Sequence, residues 1–519
     1  MSDSPSAPHL TPPVGPTPSL RPRQWAWLPI VAQAALVGVL AAWLGCGLPL
    51  GIPGQWAWEV HGRPLPVGSL LRALVIGAEM VGLCCLGLWR TRHRRRSDAG
   101  ILVTLVVLVL AFQWSIASLA PQAGFYLVAG TGSSVATEYF GVARTVRDPW
   151  AYCRTYATTQ RSGHHVATHP PGAVLTYWLC LRVYDSPSFP RRAFETLSEQ
   201  VIGAPLGDIA SAANSYPGTS LAPGDVGAAL FCCLAFGACA ALSVLPLYWL
   251  ARRAATRSTA LVVCCLFALT PAPVLFFQGL DAPILLLAVT ALASAYEAVT
   301  RRSLWAAALC GLALGLMCTM TFGATASLAT VGALAGVLLC RVRGADRPRA
   351  WAAVGVGAAV WLGIVVALDL ACGGRLPAIF SQAMAAHREL TWEGMERRYV
   401  TWVGLNLVEF FVFLGLPALV ALTAALGHAL RSGRRGLHAG ELVGLIGLLV
   451  LLALDVSGSV RGEVARVWLL LMPPLILWAG LWVRRALRDA PAAAAATILL
   501  SLVQVILLGG FLTPVVLPY

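Results

Sequence analysis

The sequence predicts an all-α polytopic membrane protein, with about 13 transmembrane helices and a large extracytoplasmic first loop containing amphipathic helices. Three observations predict it. Only 12% of residues are charged and 58% are hydrophobic, with mean hydropathy +0.74; a soluble domain carries about 25% charged residues. Several apolar runs exceed the roughly 20 residues that cross a bilayer. All 37 basic residues are arginine, gathered largely in short turns between apolar runs, as basic residues gather in the cytoplasmic turns of membrane proteins.

The net charge of +14 follows from that bias and implies no nucleic-acid partner. Arginine without lysine, amid abundant Ala, Gly and Leu, fits a GC-rich bacterial genome and a bacterial inner membrane. The 14 cysteines fall mostly inside apolar runs, as at Cys84-Cys85, Cys232-Cys233 and Cys264-Cys265, and read as small core hydrophobes. No CxxC pair marks a zinc site.

Residues 1–24, rich in Pro and Ser, read as a disordered cytoplasmic tail. Residues 25–519 form a single polytopic domain. The apolar segment from Trp25 is too long for a signal-peptide core and lacks a clear cleavage site, so it is expected to be retained. Crossings are expected at 25–48, 68–89, 101–120, 224–250, 258–278, 282–300, 304–320, 323–340, 350–370, 401–428, 440–455, 467–483 and 490–512. With the N-terminus inside, the arginine turns at 90–96, 252–257, 301–302, 341–349, 431–435 and 484–488 all fall on the cytoplasmic side, and the C-terminus falls outside. The apolar stretch Gly172 to Leu181 would invert every later turn if it crossed, so it reads as an interfacial or re-entrant helix. Residues 121–223 then form one outer region, and 371–400 and 456–466 two further outer loops. No repeat of fixed period is apparent.

The outer loops hold the polar chemistry. Val135, Glu138, Tyr139, Val142 and Val146 are spaced to share one helix face, ended by Asp148-Pro149. Glu138 would then sit on an apolar face, either ion-paired with Arg144, Arg147 or another loop arginine or serving as a general base. In His169-Pro170-Pro171-Gly172 the prolines stiffen the chain and Gly172 lets it turn, leaving His169 as a structural elbow or a phosphate or sugar ligand. His164-His165 lacks a carboxylate at ligand spacing, so no metal site is expected.

Arg144, Arg147, Arg154 and Arg161 lie in the first outer loop, Arg388, Arg397 and Arg398 in the second, Arg461 and Arg466 in the third. Converging guanidinium groups would bind a phosphate or pyrophosphate. The alternative is pairing with Glu389, Glu393, Glu396 and Glu463, the last placed to pair with Arg466 three positions on. Asp281, in a tight turn, is expected to cap the following helix. Glu79, Glu297 and Glu409 lie within or near spans, where acids are candidates for function; Glu297 lies near the inner arginines and would pair there.

An acidic residue in the first outer loop, followed 31 positions later by His169-Pro170-Pro171, resembles the C-type fold membrane glycosyltransferases. These include the protein O-mannosyltransferases, the aminoarabinose transferases of lipid A and lipopolysaccharide sugar transferases. Asp281-Ala282-Pro283 before a long apolar helix, and Arg461-Gly462-Glu463-Val464-Ala465-Arg466-Val467-Trp468, are similar too. The resemblance implies a sugar moved from a polyprenyl-phosphate donor to a glycan, lipid or protein acceptor at the outer face, with inversion. Glu138 would be the base, with Asp148 in reserve. Tyr139, Arg144, Arg147, His169, Arg397, Arg398, Arg461, Glu463 and Arg466 would bind substrate. The chain departs from the family in showing one acid where Asp-Glu or Asp-x-Asp is usual; Val135 or Thr137 stands at the usual aspartate. No cofactor is implied and a divalent metal is not indicated. A transporter or flippase of lipid-linked precursors is the rival class, and a noncatalytic envelope scaffold a further one.

Overall fold

The computed structural model describes residues 27–61, 65–92, 98–120, 122–159, 165–389, 396–431 and 437–512. The expected tail at 1–24, and Arg161, His164 and Glu393, lie outside the described residues. Among those described, ten helices are long and apolar enough to cross a membrane, or eleven with one sharply bent pair counted as a span. The chain is a polytopic helical membrane protein. Backbone groups inside a helix pair with one another, which is what a bilayer interior demands.

Three expected crossings take a different form. Residues 258–278 divide into Arg257–Ala268 and Pro271–Leu275, because Pro271 and Pro273 interrupt the helical run. Residues 304–320 form a shorter apolar helix, Leu304–Met320. Residues 401–428 are not one rod. Tyr399–Leu414 and Leu416–Arg431 meet at 104°, where Gly415 takes φ 107° and Pro417 follows. The break frees backbone groups, and one buried side chain takes them up. Gln504 accepts from the Leu416 N–H at 2.8 Å and donates to the Val412 carbonyl at 2.7 Å.

Between apolar helices in lipid, close packing of small residues replaces the hydrophobic drive. Gly311 and Gly315 put this to use. A Cβ on Gly311 would lie 2.2 Å from the Gly357 carbonyl oxygen, and one on Gly315 would lie 2.6 Å from Ile364. The helices Leu304–Met320 and Arg347–Ala371 thus approach backbone to backbone at Gly311 and backbone to side chain at Gly315. Arginine and acid pair at the opposite end from the loops, with Glu297 held by Arg253 at 2.8 Å and Arg301 at 3.7 Å, as expected.

The helix Gly172–Tyr184 has 13 residues, too few to span a bilayer of about 30 Å. A two-stranded antiparallel hairpin joins Leu50–Ile52 to Trp56–Trp58, an element the sequence reading lacks. Trp58 packs between Phe276 and Phe413, with ring centroids 5.0 Å from each.

Candidate functional site

Several chain connections gather at one end of the bundle. The first large loop brings Ala136 and Thr137, the turn before Asp281–Arg301 brings Gln278 and Gly279, the loop at 456–466 brings Glu463 and Arg466, and the hairpin brings Trp56 and Trp58. With Gly130, Tyr177 and Phe276 they line one pocket. The region at 371–400 joins the same end, since the His387 imidazole Nε2 lies 2.9 Å from the Ser459 carbonyl.

Glu138 does not lie on a helix face. The helix begins one residue later, Tyr139–Thr145, and Glu138 takes a left-handed φ of 63° before it. Ser133 is the cause. Its hydroxyl accepts from the N–H groups of Val135 and Ala136 and donates to the Pro217 carbonyl. A serine hydroxyl offers the backbone an alternative to the helix, and residues 134–137 form turns instead. Val135 is exposed and Val146 falls past the helix end. Glu138 is half-buried, next to pocket-lining Thr137. Burial holds the nearby Tyr152 phenol above its ordinary range, with Tyr156, Cys153 and then Glu138 adding to the effect. Left-handed backbone at a non-glycine residue costs roughly 1–2 kcal/mol. The Thr137 hydroxyl is enclosed and has no hydrogen-bond partner among the described residues. Asp148, the reserve base, is exposed and spends Oδ1 on the Trp150 N–H at 2.8 Å, capping the helix Pro149–Thr159.

His169 is held from several sides. Tyr139 Oη and Thr168 Oγ1 each lie 2.8 Å from its Nδ1, and Tyr156 donates to its carbonyl at 2.7 Å. Burial pushes the imidazole down to about 3, with His165 adding to the effect. Burial also raises the Tyr139 phenol, against the pull of Arg466. The pair is therefore a neutral imidazole against a protonated phenol. Gly172 has an unexpected role. A Cβ there would lie 2.2 Å from the Thr319 carbonyl oxygen, so glycine is required by helix approach.

The arginines divide. Arg466 reaches the pocket wall, 3.2 Å from Glu463 and 3.3 Å from Asp281. Burial would weaken its charge, but Glu463 and then Asp281 hold its pKa above the ordinary range. Burial would raise Glu463, but Arg466, with His165, Arg397 and His387, brings it below the ordinary carboxylate range. Asp281 is the first residue of its helix, whose N-cap is Leu280; its carboxylate holds Arg466 and makes no cap.

The remaining arginines do not line this pocket. Arg144 pairs with Asp225 at 2.8 Å, not with Glu138. Arg397 is buried, donates to the Gln55 and Arg461 carbonyls, and lies over Trp56 and Trp402. Arg461 donates to the Arg397 carbonyl at 2.6 Å. These two arginines clasp the loops to each other. Arg147, Arg154 and Arg398 are exposed.

Sequence reasoning missed Gln55, Trp56, Trp58 and Asn406, and flagged Glu409 only as an acid within a span. The Trp56 and Trp58 alternation after Gly54 was the available signal for a hairpin. Among the described residues no group of three or more His, Cys, Asp or Glu is placed to hold a metal ion.

No family model matches the chain, and no curated protein matches it. Among solved structures it is similar to the Archaeoglobus fulgidus oligosaccharyltransferase. For the complex with Zn and sulfate the TM-score is 0.41 at 15% identity, covering 78% of this chain and 53% of that one. For the form tethered by a disulfide to an acceptor peptide containing the NVT sequon the TM-score is 0.44 at 15% identity, covering 79% and 55%. The chain thus spans about half the length of the solved structures it matches.

Proposed function

We propose that this protein is a membrane glycosyltransferase, moving a sugar from a polyprenyl-phosphate donor to an acceptor hydroxyl at the extracytoplasmic face of a bacterial inner membrane. One observation carries the reading. The pocket joins the first and third loops, so that Arg466 and Glu463 share a wall with Thr137, the neighbour of Glu138. In this reading Glu138 takes the acceptor proton as the hydroxyl attacks the anomeric carbon. The sugar–phosphate bond breaks and the lipid phosphate leaves with the electron pair. Arg466, exchanging its longer contact to Asp281 for a phosphate oxygen, meets the developing charge. A single displacement inverts the anomeric centre. His169 and Tyr139, neutral and mutually bonded, fix the elbow helix whose Tyr177 lines the pocket.

A transporter or flippase is the second reading, and the 104° break at Gly415 favours it, since broken helices form transporter sites. Here, however, Gln504 takes up the break's backbone groups, which supports a fixed bend. Mass analysis of envelope glycans from a deletion strain separates the two. The enzyme reading expects a glycan lacking one sugar type with its lipid-linked donor accumulating; a block in which the donor itself fails to reach the outer face supports the flippase.

A further inference from the structure

One face of the helix Tyr399–Leu414 touches two walls of the pocket. Trp402, Asn406 and Glu409 follow at spacings of four and three and so share that face. Trp402 donates its indole N–H to Gln55 Oε1 at 2.9 Å. Asn406 donates to the Val460 carbonyl at 3.0 Å and accepts from the Gly462 N–H at 2.9 Å. Glu409 Oε1 accepts twice, from the Trp58 indole at 3.0 Å and from the Ala465 N–H at 3.2 Å. Gln55 and Trp58 belong to the hairpin segment; Val460, Gly462 and Ala465 bracket the loop that carries Glu463 and Arg466.

That loop is held in a demanding shape. Gly462 and Glu463 both take left-handed φ, 83° and 62°, and a Cβ on Gly462 would lie 2.9 Å from the Trp56 ring. A non-glycine residue keeps such a conformation only where its surroundings determine it. The bonds from Asn406 and Glu409 lie on either side of Glu463. Their partners are main-chain groups, so they define where the loop backbone runs and hence where Glu463 and Arg466 point.

We infer that Asn406 and Glu409 are positioning residues, which set the Glu463–Arg466 loop and the tryptophan hairpin against each other as neighbouring walls of one pocket. Glu409 serves as a hydrogen-bond acceptor in this role. The bonds from Trp58 and Ala465 go to a single oxygen, which a carboxamide can replace. The inference rests on the proposed phosphate role of Arg466 for its functional consequence, and on the hydrogen bonds alone for its structural one.

Two measurements on the full chain in nanodiscs test it. The first is hydrogen exchange of a peptide covering residues 458–467, with the helix Asp281–Arg301 as the folding reference. Glu409→Leu should lower protection of the loop about tenfold, as expected for loss of buried acceptor contacts, while the reference helix keeps its protection. Glu409→Gln should stay within about twofold of wild type. The second is binding of undecaprenyl phosphate by native mass spectrometry, which should weaken about tenfold in Glu409→Leu and recover in Glu409→Gln. Unchanged loop protection in Glu409→Leu overturns the inference. So does a folded Glu409→Gln that loses protection or binding, which would assign the role to charge and is readable even if the leucine variant does not fold. Unchanged lipid binding in Arg466→Ala overturns the phosphate reading instead, and the exchange data then decide the inference by themselves.

Discussion

Tyr139 and His169 are bonded across the first large loop, Tyr139 Oη lying 2.8 Å from His169 Nδ1. The bond ties the helix that follows Glu138 to the elbow that precedes the helix Gly172–Tyr184. The tyrosine ring also lies edge-on to His169 and stacks on Tyr177. Tyr139→Phe keeps the ring contacts and removes the hydroxyl. A loss of about 1 kcal/mol is expected for one buried hydrogen bond, read as a lower melting temperature in detergent. The substitution is expected to leave the fold intact, with an unchanged helical circular dichroism spectrum.

The same pair makes stability depend on pH. The folded His169 pKa of about 3 lies below its ordinary 6.5, so the unfolded chain takes up the proton first as pH falls. The stability this neutral ring contributes is fully present above about pH 6.5. It is lost between there and about pH 3, by at most about 1.4 kcal/mol per pH unit. Melting curves from pH 7 down to about pH 5 should show the wild-type midpoint falling more steeply than that of His169→Gln.

Gly172→Ala should destabilise the protein by about 2 kcal/mol, because the new methyl group meets the Thr319 carbonyl oxygen at 2.2 Å and the helix must shift to admit it. Thermal melting reads the effect. Gly141→Ala, where a Cβ meets nothing within 4 Å, is the matched control and should melt with the wild type or slightly above it.

Gln504→Leu should cost about 2 kcal/mol or more, since it leaves the Leu416 N–H and the Val412 carbonyl unpaired in a buried bend. Gln504→Glu keeps an acceptor for Leu416 but removes the donor to Val412, so it too should melt below the wild type. Limited proteolysis near Gly415 provides a second readout, with faster cleavage expected in the leucine variant.

Much of this architecture was legible in the sequence, because bilayer thickness and arginine placement act on long stretches that composition reveals. Alternating the spans brought Thr137, His387 and Glu463 to one end of the bundle, and the pairing of Glu463 with Arg466 followed from their spacing. What escaped was decided by single polar side chains. The Ser133 hydroxyl turns the chain ahead of Glu138 and defeats the helix periodicity of Val135, Glu138 and Val142. Arg144 finds Asp225 and Arg397 finds Gln55, partners 81 and 342 positions away in the chain, which no local spacing reveals. The bend at Gly415 needs Gln504 from the last described helix to complete it.

Glu138 is proposed as the base in transfer of a sugar from a lipid phosphate. The direct measurement is the transfer rate from a polyprenyl-phosphate-linked sugar by purified Glu138→Gln protein beside wild type. The carboxamide keeps size and hydrogen bonding but cannot take a proton. The expected rate is lower by about 10²–10⁴-fold, the usual contribution of a positioned general base, with donor binding retained. A Glu138→Gln rate near that of the wild type would contradict it.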